Sequence, residues 1–385
     1  MKCSARTAAR RRGPSSFALT VAVAGAATLL AASAAAAQVL AGTWTKLPGA
    51  PIRTAPDSWT VVSVWTGHEM IIHGDRFVSG GERGVTFAYR PATNTWVRLA
   101  DGPRPASLES TDVAVWTGSR MLILGLTSAS YNPATNTWHK IAQPPRMSLS
   151  GAVTGWTGHR FLAWGGTCCE SVSHDGAAYN PVTDRWRILP TAPLAPRRGA
   201  RGAWTGKELI VAGGHGDRHQ PFRPDARVFR SGAAYNPATH TWRRLPPMPH
   251  RPVDGPALWD GKELLFLSPG AARGMAYNPA TNHWRLLPAM PLPRWGFAAV
   301  RTGRRVLVWG GLSGDYPTGT TPAHGEAYIP ATNRWRALPA SPLHGRAYPE
   351  AVWTGHRMIV WGGSIDNGRT IRLFKDGAAY KPRTP

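Results

Sequence analysis

The sequence predicts an all-β protein, a seven-bladed β-propeller with four strands in each blade. The chain combines 18 Trp with 42 Gly and 35 Pro in 385 residues, so turns must be dense. One unit recurs seven times with a period of about 40 to 56 residues, which is typical of propeller blades. A hydrophobic content of 42% excludes an intrinsically disordered chain, because such chains lack the apolar surface for a core.

Residues 1–37 read as a secretory signal peptide. Five basic residues precede an apolar run over residues 17–30, and Ala35 to Ala37 form an A-x-A cleavage site. We expect cleavage before Gln38 and a secreted or cell-envelope (periplasmic) location, with no stable membrane insertion afterwards. An uncleaved membrane anchor is the alternative reading of the same run. Cleavage would leave residues 38–385 as one propeller domain.

Each repeat unit predicts four strands in order. Strand a ends at W-T-G, as at Trp65, where the glycine permits a tight hairpin. Strand b is an apolar run that often ends in a double glycine, and strand c ends at a tyrosine. A turn of the type N-P-A-T-N follows, in which Asn tolerates the left-handed conformation, and strand d then carries a tryptophan. The recurring tyrosines are Tyr89, Tyr131, Tyr179, Tyr235, Tyr277, Tyr328 and Tyr380, and the tryptophans that follow the first six are Trp96, Trp138, Trp186, Trp242, Trp284 and Trp335.

The seventh unit is incomplete. It stops after Tyr380-Lys381-Pro382 without a strand d, while an isolated W-x-x-L-P stands at Trp44 to Pro48. We therefore expect the N-terminal strand to complete the last blade. Such closure leaves no open sheet edge between the first and last blades.

The double glycine, the tyrosine and the later tryptophan together resemble the Kelch motif, the repeat of the central domain of galactose oxidase and of many Kelch proteins. The resemblance covers residues 43–382 and implies a propeller without naming a function. The double glycine is intact only in four units, at Gly165-Gly166, Gly213-Gly214, Gly310-Gly311 and Gly362-Gly363. Blades 1, 2 and 5 have Gly74-Asp75, Gly125-Leu126 and Ser268-Pro269 instead.

The loops between strands b and c and between strands d and a emerge on one face, so the binding residues are sought there. Each d–a loop carries or adjoins an arginine. A ring of guanidinium groups could bind carboxylate, sulfate or phosphate, whereas the alternative reading is that they hold neighbouring blades together. The set comprises Arg53, Arg104, Arg146, Arg197, Arg251, Arg294 and Arg346.

Further candidates lie in the same loops. Glu170, His174 and Glu350 are candidate acid or base groups, and Trp295 is the aromatic residue expected to be exposed for ligand contact. The vicinal pair Cys168-Cys169 could form a disulfide in an exported chain. Three tryptophans before double glycines either stack on sugars or fill the space between blades: Trp164, Trp309 and Trp361.

We expect no metal and no cofactor. The spacing His215-x-Asp217-x-His219 could chelate a metal, but Asp and Gly also make turns, and no spacing supplies a fourth ligand.

Two function hypotheses remain. The first is a monomeric binding module for a protein or an anionic glycan or cell-wall polymer, which the net charge of +24 favours, although arginine-rich composition can also reflect a GC-rich genome. The second is a carbohydrate-active enzyme, similar to the Kelch-type sugar mutarotases and epimerases. The sequence does not decide between binding and catalysis. Export disfavours a nucleic-acid partner.

Overall fold

The structure is a computed structural model that describes residues 39–51, 61–78, 81–103, 113–125, 127–145, 147–168, 171–216, 227–251, 255–268, 273–316 and 318–383. Within this part of the chain, 28 strands form seven four-stranded antiparallel sheets. Strand a of blade 1 contacts strand a of blades 2 and 7, so the innermost strands surround a common axis. The predicted seven-bladed β-propeller is confirmed.

The strands of each blade are given in the order a, b, c, d. Blade 1 consists of Val62–Trp65, Met70–Val78, Gly81–Arg90 and Thr95–Arg98, and blade 2 of Val113–Trp116, Met121–Leu124, Ala129–Asn132 and Thr137–Lys140. Blade 3 consists of Ser148–Trp156, Phe161–Cys168, Gly176–Asn180 and Arg185–Ile188, and blade 4 of Arg201–Trp204, Leu209–Ala212, Gly232–Asn236 and Thr241–Leu245. Blade 5 consists of Ala257–Trp259, Leu264–Phe266, Met275–Asn278 and His283–Leu286, and blade 6 of Ala298–Arg301, Val306–Trp309, Gly325–Ile329 and Arg334–Ala337. Blade 7 consists of Glu350–Trp353, Met358–Trp361, Gly377–Pro382 and, as its strand d, Gly42–Lys46. The remaining described elements are the short strand Ser171–Val172 in blade 3, the hairpin Ser364–Asp366 with Ile371–Leu373 in blade 7, and a 3-10 turn at Pro330–Thr332.

The N-terminal strand closes the ring as predicted. Gly42–Lys46 pairs antiparallel with strand c of blade 7, and Trp44 lies opposite Tyr380. This is the same pairing that Trp96 and Tyr89 make inside blade 1. The first strand that the structure describes is therefore strand d of the last blade.

The hydrophobic core lies between blades. Strand b is buried on both faces, as in Met121–Leu124, because each sheet packs against a neighbour on either side. One cluster joins Ile359 and Trp361 of blade 7 to Met70 and Phe87 of blade 1. Such contacts make each blade depend on the next around the whole ring.

The strand d tryptophans form an outer ring of hydrogen bonds. Each indole Nε1 donates to a backbone carbonyl just after strand d of the preceding blade, at 2.9 to 3.1 Å. The pairs are Trp44 to Pro339, Trp96 to Pro48, Trp138 to Ala100, Trp186 to Ala142, Trp242 to Pro190, Trp284 to Pro246 and Trp335 to Pro288. The repeated tryptophan is thus an architectural residue, and two of these bonds depend on the N-terminal strand.

Turns between strands c and d behave as the sequence predicts. Residues such as Asn94 adopt positive φ, and the Asn94 side chain accepts a hydrogen bond from Tyr89 Oη at 2.8 Å. These turns and the W-T-G hairpins lie at one end of the blades, so the b–c and d–a loops emerge at the other. We call that second end the loop face.

Candidate functional site

Three of the predicted arginines are buried under the loop face. Arg346 enters blade 7 with its side chain fully buried and donates from Nη1 to the Gly362 carbonyl at 3.2 Å and to Asp376 Oδ1 at 2.6 Å. Its guanidinium also lies 3.8 Å from the centre of the Phe374 ring, a cation–π contact. The charge of Arg346 is therefore used inside the fold.

Arg294 and Arg197 repeat this arrangement with different partners. Arg294 donates to the Gly310 carbonyl at 3.3 Å and to Glu326 Oε1 at 3.0 Å. Arg197 donates to the Gly213 carbonyl and to backbone and side-chain oxygens of Ser231. Burial lowers the pKa of Arg197 to about 10, so it stays a cation at neutral pH. These three arginines follow the structural alternative rather than the anion-binding one.

Of the other four predicted arginines, one is described by the structure. Arg251 enters blade 5 and its side chain is exposed, with no double glycine in that blade to receive it. Arg53, Arg104 and Arg146 lie outside the described residues. The sequence grouped all seven arginines together, whereas the four that the structure describes are three buried residues and one exposed residue.

The double glycine explains why Arg197, Arg294 and Arg346 are buried. Gly310 and Gly311 both have positive φ, at 74° and 100°, which turns their peptide groups toward the arginine loops. A Cβ on Gly311 would lie 2.6 Å from the Trp295 carbonyl oxygen. Only glycine meets both conditions, so the pair allows the loop to approach closely and offers the carbonyl that the arginine needs.

Each buried arginine fixes the residues that follow it. Trp295 and Leu312 exchange two backbone hydrogen bonds of 2.8 Å, and Ala347 and Ser364 do the same. The residue two positions after the arginine has positive φ: Gly199 in blade 4, Gly296 in blade 6, and Tyr348 in blade 7. A tyrosine thus occupies a backbone conformation that the other two loops assign to glycine.

Two adjoining cavities open on the loop face, the first between blades 6 and 7 and the second beside it, where Val61 of blade 1 also contributes. The first, of about 420 Å³, is lined by the aromatic residues Trp295, Tyr316 and Tyr348 and by Asp315 and Asp366. Tyr316 Oη donates to Asp366 Oδ2 at 2.9 Å, which joins the loop of blade 6 to the hairpin of blade 7. We call this cavity the aromatic cleft.

The second cavity, of about 290 Å³, continues from the aromatic cleft through Tyr348 and Ser364 and reaches Glu350. Glu350 begins strand a of blade 7, and Ser63 Oγ of blade 1 donates to its Oε2 at 2.6 Å. Desolvation raises the pKa of Glu350 to about 7, although the Ser63 bond acts in the opposite direction. A half-buried carboxyl that titrates near neutrality therefore lines this cavity.

The remaining predicted site residues are elsewhere or undescribed. His174 is exposed, and its Nε2 lies 3.9 Å from Asp175 Oδ1. This histidine lines neither cavity. Glu170, Cys169 and the Cys168 side chain lie outside the described part, as do Asp217 and His219 of the metal spacing. Among the described residues, no cluster of three His, Cys, Asp or Glu side chains has metal-binding geometry.

Trp164, Trp309 and Trp361 are buried to 1% exposure or less, so they fill space between blades. No helix in the described segments is long and apolar enough to cross a membrane.

Sequence reasoning found Trp295 and Glu350 but missed Tyr316 and Tyr348. A signal for Tyr348 was present in the aligned loops Arg197-Arg198-Gly199, Arg294-Trp295-Gly296 and Arg346-Ala347-Tyr348, where a tyrosine replaces a repeated glycine. Nothing in the repeat pattern marks Tyr316, because the b–c loops differ from blade to blade.

The fold and the loop pattern define a propeller with Kelch-type features. The Kelch motif family model matches residues 196–249, which run from the loop that enters blade 4 to just past the end of its strand d. The match covers one blade, and the seven four-stranded blades are consistent with a propeller built from Kelch repeats. No curated protein sequence matches the chain significantly.

Proposed function

We propose that the chain is a protein-interaction module that holds its partner on the loop face, in the aromatic cleft between blades 6 and 7. The Kelch-repeat propeller is a scaffold commonly used for protein interactions. The observation that carries this proposal is Tyr348, which combines a positive φ of 53° with an exposed side chain and lines both cavities.

Strain at Tyr348 supports a binding role over a packing role. A non-glycine residue in the left-handed region costs about 1 to 2 kcal/mol, and such outliers cluster at functional sites. The Tyr348 ring lies over Gly296, where a Cβ would approach the ring to 2.7 Å, so the neighbouring loop accommodates it. Because 56% of the tyrosine remains exposed, burial offsets only part of the cost. A ligand contact supplies a reason to keep the residue.

The test is a screen of the purified protein against a displayed peptide library, followed by affinity measurements on variants. Peptides bound by the cleft should lose affinity when Trp295→Ala or Tyr348→Gly is introduced. Val182→Ala is the matched control, since Val182 is an 89% exposed apolar residue in a c–d turn at the opposite end of the propeller. Peptides that bind all three variants equally would refute the cleft as the binding site.

An anionic glycan is the other partner that the sequence favoured, and it receives less support at this cleft. The charged residues that line the cleft are aspartates, and three of the seven loop arginines are buried. A screen of acidic glycans run beside the peptide screen separates the two partners. Glycan binding that is lost with Arg251→Met, and kept with Trp295→Ala, would place such a ligand at blade 5.

Glu350 favours a second candidate function, an enzyme that acts on a sugar. A carboxyl with a pKa of about 7 in a cavity is suited to general acid and base catalysis near neutral pH. Incubation with a panel of sugar anomers, followed by NMR, tests the idea. Turnover that disappears with Glu350→Gln would support an enzyme, and its absence across the panel would leave the binding module.

We further propose that the mature protein acts after export, which is supported by the basic, apolar and A-x-A segments of residues 1–37. N-terminal sequencing of the protein from culture medium and cell envelope tests this. A mature N-terminus at Gln38 is expected, and an intact Met1 on a cell-associated protein would contradict it.

A further inference from the structure

The aromatic cleft has a charge opposite to that of the chain that builds it. The protein carries 45 Lys and Arg residues against 21 Asp and Glu. Yet among the described residues, neither of the two cavities is lined by a lysine, arginine or histidine, and the charged residues there are Asp315, Asp366 and Glu350. The described lining of this site therefore contains no cationic side chain, although the chain as a whole is strongly basic.

Local packing shows how the cations are kept away. Arg294 and Arg346 lie directly before the cleft loops in sequence, but both are fully buried and paired with Glu326 and Asp376. Arg372, in the same hairpin as Asp366, has its guanidinium 5.0 Å from the centre of the Phe374 ring. Arg294, Arg346 and Arg372 thus have partners of their own.

Three aromatic side chains share the cavity with the carboxylates. Trp295, Tyr316 and Tyr348 line a space of about 420 Å³, large enough for an extended alkyl chain that ends in a charged head. Asp366 is held in place, since its two oxygens accept from Tyr316 Oη at 2.9 Å and from the Gly368 backbone N–H at 2.8 Å. Aromatic faces around a small cavity attract cations through their quadrupole, and fixed carboxylates add to this attraction.

From this combination we infer that the aromatic cleft takes the alkylammonium group of a lysine side chain presented by the partner polypeptide. The butyl stem packs against the aromatic rings while the ammonium group reaches Asp315 and Asp366. This inference rests on the proposed function, because it names the group that the interaction module recognises. It also reverses the expectation of an anionic ligand at this face.

The experiment uses the purified protein labelled with 15N at its tryptophan indoles. The Trp295 signal is assigned by its loss in Trp295→Phe, and its shift is followed on titration with the peptides Ac-Gly-Lys-Gly-NH2 and Ac-Gly-Nle-Gly-NH2, where norleucine keeps the stem and lacks the charge. The lysine peptide should bind about fivefold or more tightly than the norleucine peptide. Equal binding of the two would overturn the inference.

Variants separate the cation site from the general binding role. Asp366→Asn and Asp315→Asn should each weaken lysine-peptide binding and leave norleucine-peptide binding unchanged, whereas Asp101→Asn, an exposed acid that lines neither cavity, should change neither. Binding of n-butylammonium chloride as tight as that of the lysine peptide would overturn the polypeptide source. Peptides from the library that bind through Trp295 and Tyr348 without any preference for lysine would refute the cation site while the proposed function stands.

Discussion

Blades 5 and 7 begin with the same kind of loop and use it differently. Arg251 and Arg346 both lie in the loop before strand a, eight residues before Trp259 and seven before Trp353, yet Arg251 is exposed and Arg346 is fully buried. Blade 7 has Gly362-Gly363 after strand b, and blade 5 has Ser268-Pro269. Blade 7 therefore offers an inward carbonyl and room for a close approach, and blade 5 lacks this pair. Among the four loop arginines that the structure describes, the three buried ones lie in blades that have the double glycine.

The comparison also relates architecture to the candidate site. Blades 6 and 7 both have the buried arginine, and the residues that follow it, Trp295 and Tyr348, line the aromatic cleft. The arginines are buried beneath the loops, whereas Tyr348 is exposed and Trp295 is partly buried. The following predictions test this division, beginning with the largest effect.

Deleting residues 38–50 should break the ring on which every blade depends. The deletion removes strand d of blade 7, the Trp44 indole bond to Pro339, and the Pro48 carbonyl that Trp96 uses. We expect the thermal midpoint to fall by at least about 10 °C. Trp44→Phe is the milder control, as it removes one hydrogen bond and keeps the strand. An unchanged midpoint after the deletion would contradict closure by the N-terminal strand.

Replacing the buried arginine tests the comparison directly. Arg346→Met should lower the free energy of unfolding by about 3 kcal/mol or more, because it leaves Asp376 and the Gly362 carbonyl without their partner. The matched Arg251→Met should change it by less than about 0.5 kcal/mol, as expected for an exposed site. Urea denaturation measures both. Equal costs for the two variants would show that the double glycine does not decide the role of the arginine.

Glu350 should make blade 7 sensitive to pH. Its pKa rises from 4.5 to about 7 on folding, so the folded state binds a proton more tightly, and stability falls as pH increases from about 4.5 to 7. Glu350→Gln should therefore raise the free energy of unfolding at pH 8, by at most about 3 kcal/mol, and leave it nearly unchanged at pH 4.5. Thermal unfolding across pH 4.5 to 8 checks this. A variant that stabilises equally at both ends would refute the shifted pKa.

The pKa of His73 in blade 1 shifts in the direction opposite to that of Glu350. Burial lowers its pKa from 6.5 to about 4, and its ring bonds Thr86 Oγ1 and the Pro103 carbonyl, each at 3.0 Å. Stability from this neutral histidine is present above pH 6.5 and is lost as pH falls toward 4. In Glu350→Gln protein, stability should then increase more steeply with pH over this range than in the unmodified protein. If the free energy of unfolding rose equally steeply with pH in both proteins, the opposite pKa shifts of His73 and Glu350 would be contradicted.

The smallest expected effect on stability concerns Tyr348. Tyr348→Gly should change the free energy of unfolding by no more than about 1 kcal/mol, because relief of backbone strain offsets the greater entropy of glycine in the unfolded chain. Tyr328→Gly, in the buried core of blade 6, should cost several times more. Chemical denaturation of both variants is the measurement. A large loss at Tyr348 would indicate a packing residue and weaken the binding proposal.

The sequence by itself determined the repeat count, the order of the four strands and the closure by Trp44. These follow from spacing, since each unit encodes its own turns and its own buried strand, and the missing strand d had one place to come from. It also determined which residues are architectural, because the strand d tryptophans recur once in every blade.

Only the tertiary structure decided which arginines are buried and where the cleft lies. Arginines in similar loops have different neighbours in the folded chain. The carbonyl that accepts a hydrogen bond from Arg346 belongs to Gly362, 16 positions further along the sequence. The cleft joins Trp295, Tyr316 and Asp366 from two blades, and its loops do not share the repeat. Local patterns encode the blades, but a site between blades exists only when the ring has brought distant loops together.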